Sequence, residues 1–411
     1  MMKMKHKKQK KTSGQGGIRM RILVYRWKAY NYADICEAFS NLGYEWITVE
    51  QDLDNYDEDP EFEEKLAGII QTENCDMVFT VNYFALVTTV CAKLHIPYVV
   101  WTCDNPLISM YHKNVFHPCN YFFTFDKTNY LEFQGMGVEH IWHLPLAANT
   151  KRLDYLLNNC DDLYLYENEI AFVGSLYERN SYDRLRPQLP EYLRGYFDAA
   201  IWAQQCVSGG NILEEMLTVH VLEQLQQYFQ LEKSKDSFSD LGLIFATTVL
   251  GFKTAAEQRR RALTELSKKY AVTIYSNSNT SDLLRVRYGG SLDYWSEMPK
   301  VFAATKINLN FTIPNIKSGL PLRIWDVLGS GGFLMTNFQA EIPYYLKNKE
   351  DLVCFESVEE LSELCGYYLS HEEERRQIAQ NGYQKVCGYH TFEQRIQVMM
   401  DTVRGACESI L

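Results

Sequence analysis

The stretch Lys306–Asn337, KINLNFTIPNIKSGLPLRIWDVLGSGGFLMTN, gathers most of the residues in this chain whose types and spacing could do chemistry. An apolar run carries Asn308 and Asn310, with Thr312 just after it, and a loop with Lys317, Ser318 and Gly319 follows. A short helical pattern then holds Arg323 and Asp326 and closes on Gly329-Ser330-Gly331-Gly332 before another apolar run, Phe333–Met335. Polar and flexible residues gathered at strand ends and at a helix start are how an α/β fold builds a ligand crevice. The same glycines also fit the plain capping of a helix end. A second such point is Gly174-Ser175, directly after the apolar run Glu169–Val173. Backbone N–H groups of that turn can face an anion with no side chain in the way, although an ordinary turn has the same sequence. In the first half, Asp104 stands just beyond the run Pro97–Trp101, in Cys103-Asp104-Asn105-Pro106. A carboxylate there can take a hydroxyl proton if burial raises its pKa, and it equally fits a cap before a proline turn. His112 is the alternative base, with an intrinsically suitable pKa.

These residues need elements to position them. Short apolar, β-branched and aromatic runs predict strands over Arg21–Tyr25, Glu45–Val49, Met77–Thr80, Pro97–Trp101, Tyr121–Thr124 and His140–Leu144, with helices such as Tyr32–Leu42 and Tyr83–Leu94 between them. Repeated strand–helix–strand order predicts a doubly wound parallel sheet. A second series has strands over Glu169–Val173, Ala271–Tyr275, Lys306–Phe311, Phe333–Thr336 and Asp351–Phe355. Between its first two strands, residues 182–270 read as a helical insertion, including a helix over Ile212–Phe229. The expected division is a basic disordered leader over 1–18, an N-terminal Rossmann-like domain over 19–160, a C-terminal one over 161–385, and a terminal helix over 386–411 that packs back on the first domain.

Composition narrows the class. The formal charge is −11, and the lysines at 3, 5, 7, 8, 10 and 11 sit in the expected leader, so taking those six charges from −11 leaves −17 for the body. An acidic body disfavours nucleic acid as a partner. No apolar run reaches the length of a membrane span, and no apolar segment follows the lysines as a signal peptide requires. Eleven cysteines without paired spacing, an odd number and no secretion signal predict reduced thiols in a cytoplasm. There is no CxxC and no HExxH, so no metal site is expected. Tyr25-Arg26-Trp27 stands where a GxGxxG turn would follow the first strand, which counts against a nicotinamide or flavin enzyme. Arg26 and Trp27 are a cation and a flat ring that could frame a substrate there.

Five blocks carry a resemblance: WTCDNP at 101–106, Phe123–Tyr130 with Leu144-Pro145-Leu146-Ala147-Ala148, FVGS at 172–175, the block 306–337, and EEERRQIAQNGYQKVCGYH at 372–390. Together they resemble the CgeB-like proteins, a bacterial group including spore-maturation proteins, whose C-terminal half is similar to the group 1 glycosyltransferase domain of GT-B enzymes. The resemblance implies an α/β GT-B architecture, two Rossmann-like domains with a facing cleft. It implies a nucleotide-sugar donor held mainly by the second domain, a protein or glycan acceptor on the first, and no obligatory metal. Without a metal, cations, helix starts and glycine N–H groups must stabilise the leaving diphosphate. Arg323 fits this role by bidentate contact and Lys317 as a point charge. Asp326 lies eight residues after Ser318, the spacing of two glutamates in many retaining GT-B enzymes, the second of which accepts the ribose hydroxyls. Ser318 replaces the first, so Ser318 and Gly319 are expected to meet sugar or phosphate differently. Asn310 is a candidate for sugar hydroxyls, Ser276 for the base, Gly174 and Ser175 for phosphate, and Gly331 and Gly332 for close passage of the chain by the ligand. A UDP-sugar is the favoured donor. A sugar-nucleotide epimerase and a nucleotide-sugar-binding protein without turnover are the alternatives.

Overall fold

Two parallel sheets organise the chain, one in each of two compact units: Met1–Leu146 with Lys233–Ser239 and Phe392–Leu411, and Ala147–Glu232 with Asp240–Thr391. The computed structural model describes residues 7–8, 20–27, 29–53 and 55–408. The expected disordered leader, 1–18, lies outside them except for Lys7–Lys8, whose backbone pairs antiparallel with the neighbouring strand Glu45–Glu50.

The first unit holds β1 (Lys7–Lys8), β2 (Arg21–Arg26), β3 (Glu45–Glu50), β4 (Met77–Val81), β5 (Tyr98–Trp101), β6 (Asn120–Thr124) and β7 (Ile141–His143), in spatial order β1-β3-β2-β4-β5-β6-β7. All but β1 pair in parallel. Residues of β4, β5 and β6 are buried throughout, as strands covered on both faces must be. The chain steps from β2 out to β3, then returns to the other side of β2 for β4. That reversal opens a crevice at the strand ends. Helix Pro60–Glu73 starts where Asp59 accepts the Phe62 N–H at 3.0 Å and Pro60 fills the first turn. The terminal helix Phe392–Glu408 lies in this unit, where Phe392 meets the edge of the Trp101 ring and Ile396, Met399, Met400 and Val403 are buried.

The second unit holds β8 (Asn168–Val173), β9 (Val272–Tyr275), β10 (Arg287–Tyr288), β11 (Thr305–Asn310), β12 (Leu334–Asn337) and β13 (Val353–Phe355), all parallel in the order β10-β9-β8-β11-β12-β13. Here the order reverses at β8, between β9 and β11. One core joins Ile170, Phe172, Ile274, Leu309 and Phe355 beneath the sheet, and a second packs Phe197, Val221, Phe245 and Leu250 inside the insertion.

Both doubly wound sheets match the expectation. The insertion differs from it. Instead of helix throughout, it has helices Ser181–Leu185, Glu191–Gln205, Val219–Leu225 and Leu241–Ile244, a π-helical turn Phe245–Gly251, and helix Phe252–Leu266. The expected helix Ile212–Phe229 shrinks to Val219–Leu225 because Thr218 caps its start, accepting the Val221 N–H. Residues Lys233–Ser239 leave the insertion and join the first unit. Ser234 and Ser237 hydroxyls bond the nearby N–H groups of Asp236 and Ser239, which competes with helix, and the backbone instead pairs with Tyr111 and Lys113.

Candidate functional site

The candidate residues fall into two groups, one per unit. In the first unit, β4 is followed by Asn82, held in left-handed backbone at φ 63. Its N–H donates to the Trp101 carbonyl, its Oδ1 accepts from the Cys103 N–H at 2.9 Å, and its Nδ2 donates to Asp104 Oδ2 at 2.7 Å. Asn82 therefore aims the Asp104 carboxylate from the neighbouring strand end. Asp104 is exposed at the surface, yet enough protein surrounds its carboxylate that lost hydration raises its pKa above the usual range, against the Asn82 bond, which lowers it. Such a carboxylate can accept a proton. The chain continues through a cis peptide bond between Asn105 and Pro106.

His112 is placed elsewhere in that unit, buried, with its own partners. Its Nδ1 accepts from the Asn114 N–H at 3.1 Å and caps the turn Lys113–Phe116, and its backbone bridges to Ser237. Burial lowers its pKa, with Asp236 acting in the opposite sense. These contacts describe a capping residue. Arg26 pairs with Glu50 at 3.2 Å, and Trp27 sets its ring against Phe84.

In the second unit Gly174 and Ser175 follow β8, where the Gly174 N–H donates to the Tyr275 carbonyl at 3.0 Å, and Arg323 and Asp326 lie on the helix that follows β11. Helix Leu322–Gly329 starts after Pro321 and carries Arg323 in its first turn and Asp326 one turn on. Arg323 lies 5.0 Å over the Phe302 ring with Nη1 2.6 Å from Met298 Sδ, and 3.6 Å from Asp326 Oδ2. Asp326 is largely buried and its Oδ1 accepts from the Tyr294 hydroxyl at 3.1 Å. Ser175 turns its hydroxyl to the Tyr177 N–H at 3.1 Å, closing the turn after β8. Lys317 pairs with Glu214 of the insertion at 3.2 Å. Ser318 is buried and donates to Glu341 Oε1 at 2.8 Å, while the Glu341 N–H donates to the Ser318 carbonyl. This reciprocal pair pins the loop through Gly319.

Other candidates have interior partners. Asn310 is buried, with its amide donated to the Thr312 and Thr336 hydroxyls at 3.0 and 2.9 Å, which orders the strand end. Ser276 accepts from the Ser278 N–H on its hydroxyl and from the Tyr288 hydroxyl on its carbonyl. Gly331, at φ 74, supplies the left-handed residue that ends the helix. A Cβ at Gly332 would lie 2.5 Å from the Phe302 carbonyl oxygen, so the close approach there is to protein.

Three residues of this group escaped the sequence reading. Tyr294 and Glu341 lie far along the chain from Asp326 and Ser318, and no spacing announces them. Arg259 donates to the Ser175 carbonyl and the Phe311 carbonyl, both at 2.7 Å. Its signal was present, since it falls on the stripe of Ala255, Ala256, Ala262 and Leu263, where an apolar residue is the norm. Among the described residues no group of His, Cys, Asp and Glu could hold a metal ion, and no helix is long and apolar enough to cross a membrane.

Comparison with known proteins agrees with this fold. The profile of the family described as glycosyl transferase-like matches residues 257–401. No curated protein matches the chain in sequence. A glycosyltransferase from Rickettsia africae superposes with a TM-score of 0.55 at 10% identity, over 94% of this chain and 99% of that one. Anabaena HepE, solved with UDP and glucose, superposes with a TM-score of 0.53 at 9% identity, over 94% and 100%. Sucrose-phosphate synthase from Thermosynechococcus elongatus gives 0.52 at 12%, over 95% and 100%. The chain has the GT-B-like glycosyltransferase fold, two Rossmann-like α/β domains.

Proposed function

We propose that this chain is a CgeB-like glycosyltransferase that moves a sugar from a nucleoside-diphosphate sugar to a hydroxyl of a protein or surface-glycan acceptor, without a metal, in the cytoplasm. The observation that supports the reading is the cluster of Arg323, Asp326 and Tyr294, whose helix Leu322–Gly329 follows β11, the strand next to the reversal of sheet order at β8. Asp326 accepts the ribose hydroxyls, and Arg323 with the Ser175 N–H meets the diphosphate, the Gly174 N–H being held by the Tyr275 carbonyl at 3.0 Å. UDP is the favoured nucleotide, supported by the UDP complexes of the similarly folded HepE. The acceptor oxygen forms a bond to the anomeric carbon while the bond from that carbon to the diphosphate oxygen breaks. The acceptor proton passes to Asp104 if configuration inverts, or to the departing phosphate if it is retained.

A second reading, a nucleotide-sugar-binding protein without turnover, is favoured by one observation. The position of the first expected glutamate is Ser318, and its hydroxyl is committed to Glu341 inside the protein. Incubation with UDP-sugars and a surface-glycan acceptor, followed by mass analysis, separates the readings. Transfer releases UDP and adds one sugar to the acceptor, an epimerase yields an isomeric nucleotide sugar, and a binding protein returns the donor unchanged. The last two outcomes overturn the transferase.

A further inference from the structure

Helix Phe252–Leu266 closes the insertion and carries three consecutive arginines. Arg260 pairs with Asp282, and Arg261 pairs with Glu359 at the surface. Arg259 faces the other way and is only 8% exposed. Its Nη1 donates to the Ser175 carbonyl after β8, and its Nη2 to the Phe311 carbonyl after β11, so one guanidinium spans the point where the sheet order reverses. It lies 4.8 Å over the ring of Tyr177, which is stacked in turn on Phe252 at 5.1 Å. Tyr177 itself is held at φ 51, a backbone region that large side chains rarely adopt, so the turn after β8 is built around this stack.

Holding two carbonyls does not by itself call for a charge. A neutral donor would satisfy them and avoid the cost of burying a cation. Among the described residues no carboxylate pairs with Arg259, and its buried Nε has no hydrogen-bond partner. Burial pushes its pKa below the ordinary arginine value, the Tyr177 hydroxyl acts the other way, and the charge of Arg323 adds the smallest, lowering, influence. A guanidinium buried without a counter-charge beside the turn after β8 is stabilised by an anion brought to that turn.

We propose that Arg259 is a positioning residue for a nucleoside diphosphate: it ties the Gly174–Tyr177 turn to the loop after β11 as one frame, and supplies the positive field that makes this frame prefer a diphosphate to the bare nucleoside. The inference rests on the nucleotide-sugar reading above and adds a residue from the insertion to it. It gives the insertion helix a role in donor selection, exerted through the turn after β8 and through charge, without requiring Arg259 to touch the sugar.

The test is calorimetry with UDP, ADP and GDP and with uridine, adenosine and guanosine, on the wild type and on Arg259→Gln and Arg259→Lys, with thermal melting alongside. The wild type is expected to prefer a diphosphate to its nucleoside. Arg259→Gln is expected to lose about tenfold or more of that preference while nucleoside affinity stays within about twofold, because the lost term is charge on phosphate. Arg259→Lys keeps a charge and loses the fork, so it recovers most of the preference, with a lower melting temperature. An unchanged preference in Arg259→Gln overturns this inference and leaves donor binding by Asp326 and Arg323 standing. Parallel loss of diphosphate and nucleoside would show a scaffold without a field and also overturns it. Should Arg259→Gln fail to fold, a folded Arg259→Lys without the preference overturns the charge role, and one that retains it supports that role. A wild type without any diphosphate preference overturns this inference and the proposed function together.

Discussion

The two units repeat one architectural idea and put different chemistry on it. In each, a parallel sheet reverses its order beside its first long parallel strand, β2 in one and β8 in the other. Beyond β4 and β5 the first unit presents Asn82, Cys103 and Asp104, and among the described residues no cation pairs with that carboxylate. Beyond β8 and β11 the second presents Arg259 and Arg323, with Asp326 held by Tyr294. A carboxylate that loses hydration with no cation to offset it has a raised pKa and can accept a proton, whereas arginines favour phosphate. Topology provides the place in both cases, and the side chains at the strand ends decide what it does.

The comparison breaks most visibly at Asp104. Asp104→Asn is expected to lower kcat by about 10²–10⁴-fold with donor KM little changed if the reaction inverts. Wild-type kcat/KM should rise with pH as Asp104 loses its proton, through a midpoint above the usual carboxylate range, and the variant should lack that limb. A pH–rate profile of both proteins checks this. In the second unit Arg323→Gln should lower kcat by about 10²–10³-fold, measured as UDP release, because charge builds on the diphosphate only as the bond breaks. Tyr294→Phe should weaken nucleotide binding by a smaller amount, about 0.5–1.5 kcal/mol in a titration, by loosening the carboxylate proposed to receive the ribose. Ser318→Ala, with its bond to Glu341 removed, should cost about 1–2 kcal/mol in a denaturant melt.

How far the sequence told this in advance follows from what each residue depends on. The buried strands were legible because β-branched and aromatic runs of four to six residues have no other stable reading, as in VTIY at β9. Arg287–Tyr288 was not, since two exposed polar residues form a strand only because β9 offers an edge. The segment Lys233–Ser239 failed as helix because its serines bond their own backbone and its neighbours lie at 111–113. The expectation for Asp326 came from its spacing after Ser318 in the family resemblance, and the structure adds the Tyr294 hydroxyl on its carboxylate. The meaning of Ser318 was not legible, because Glu341 comes to it only through the fold. Three adjacent arginines read alike in one dimension, and helix phase alone buries the first and exposes the others.

The central claim is that the second unit binds the donor nucleotide and the first handles the proton. Calorimetry of UDP against the wild type, Asp326→Ala and Asp104→Asn tests it most directly. The account predicts that Asp326→Ala loses about tenfold or more in UDP affinity, as removal of a charged acceptor of two ribose hydroxyls requires, while Asp104→Asn binds UDP as the wild type does. Undiminished UDP affinity in Asp326→Ala, or an equal loss in Asp104→Asn, would contradict it.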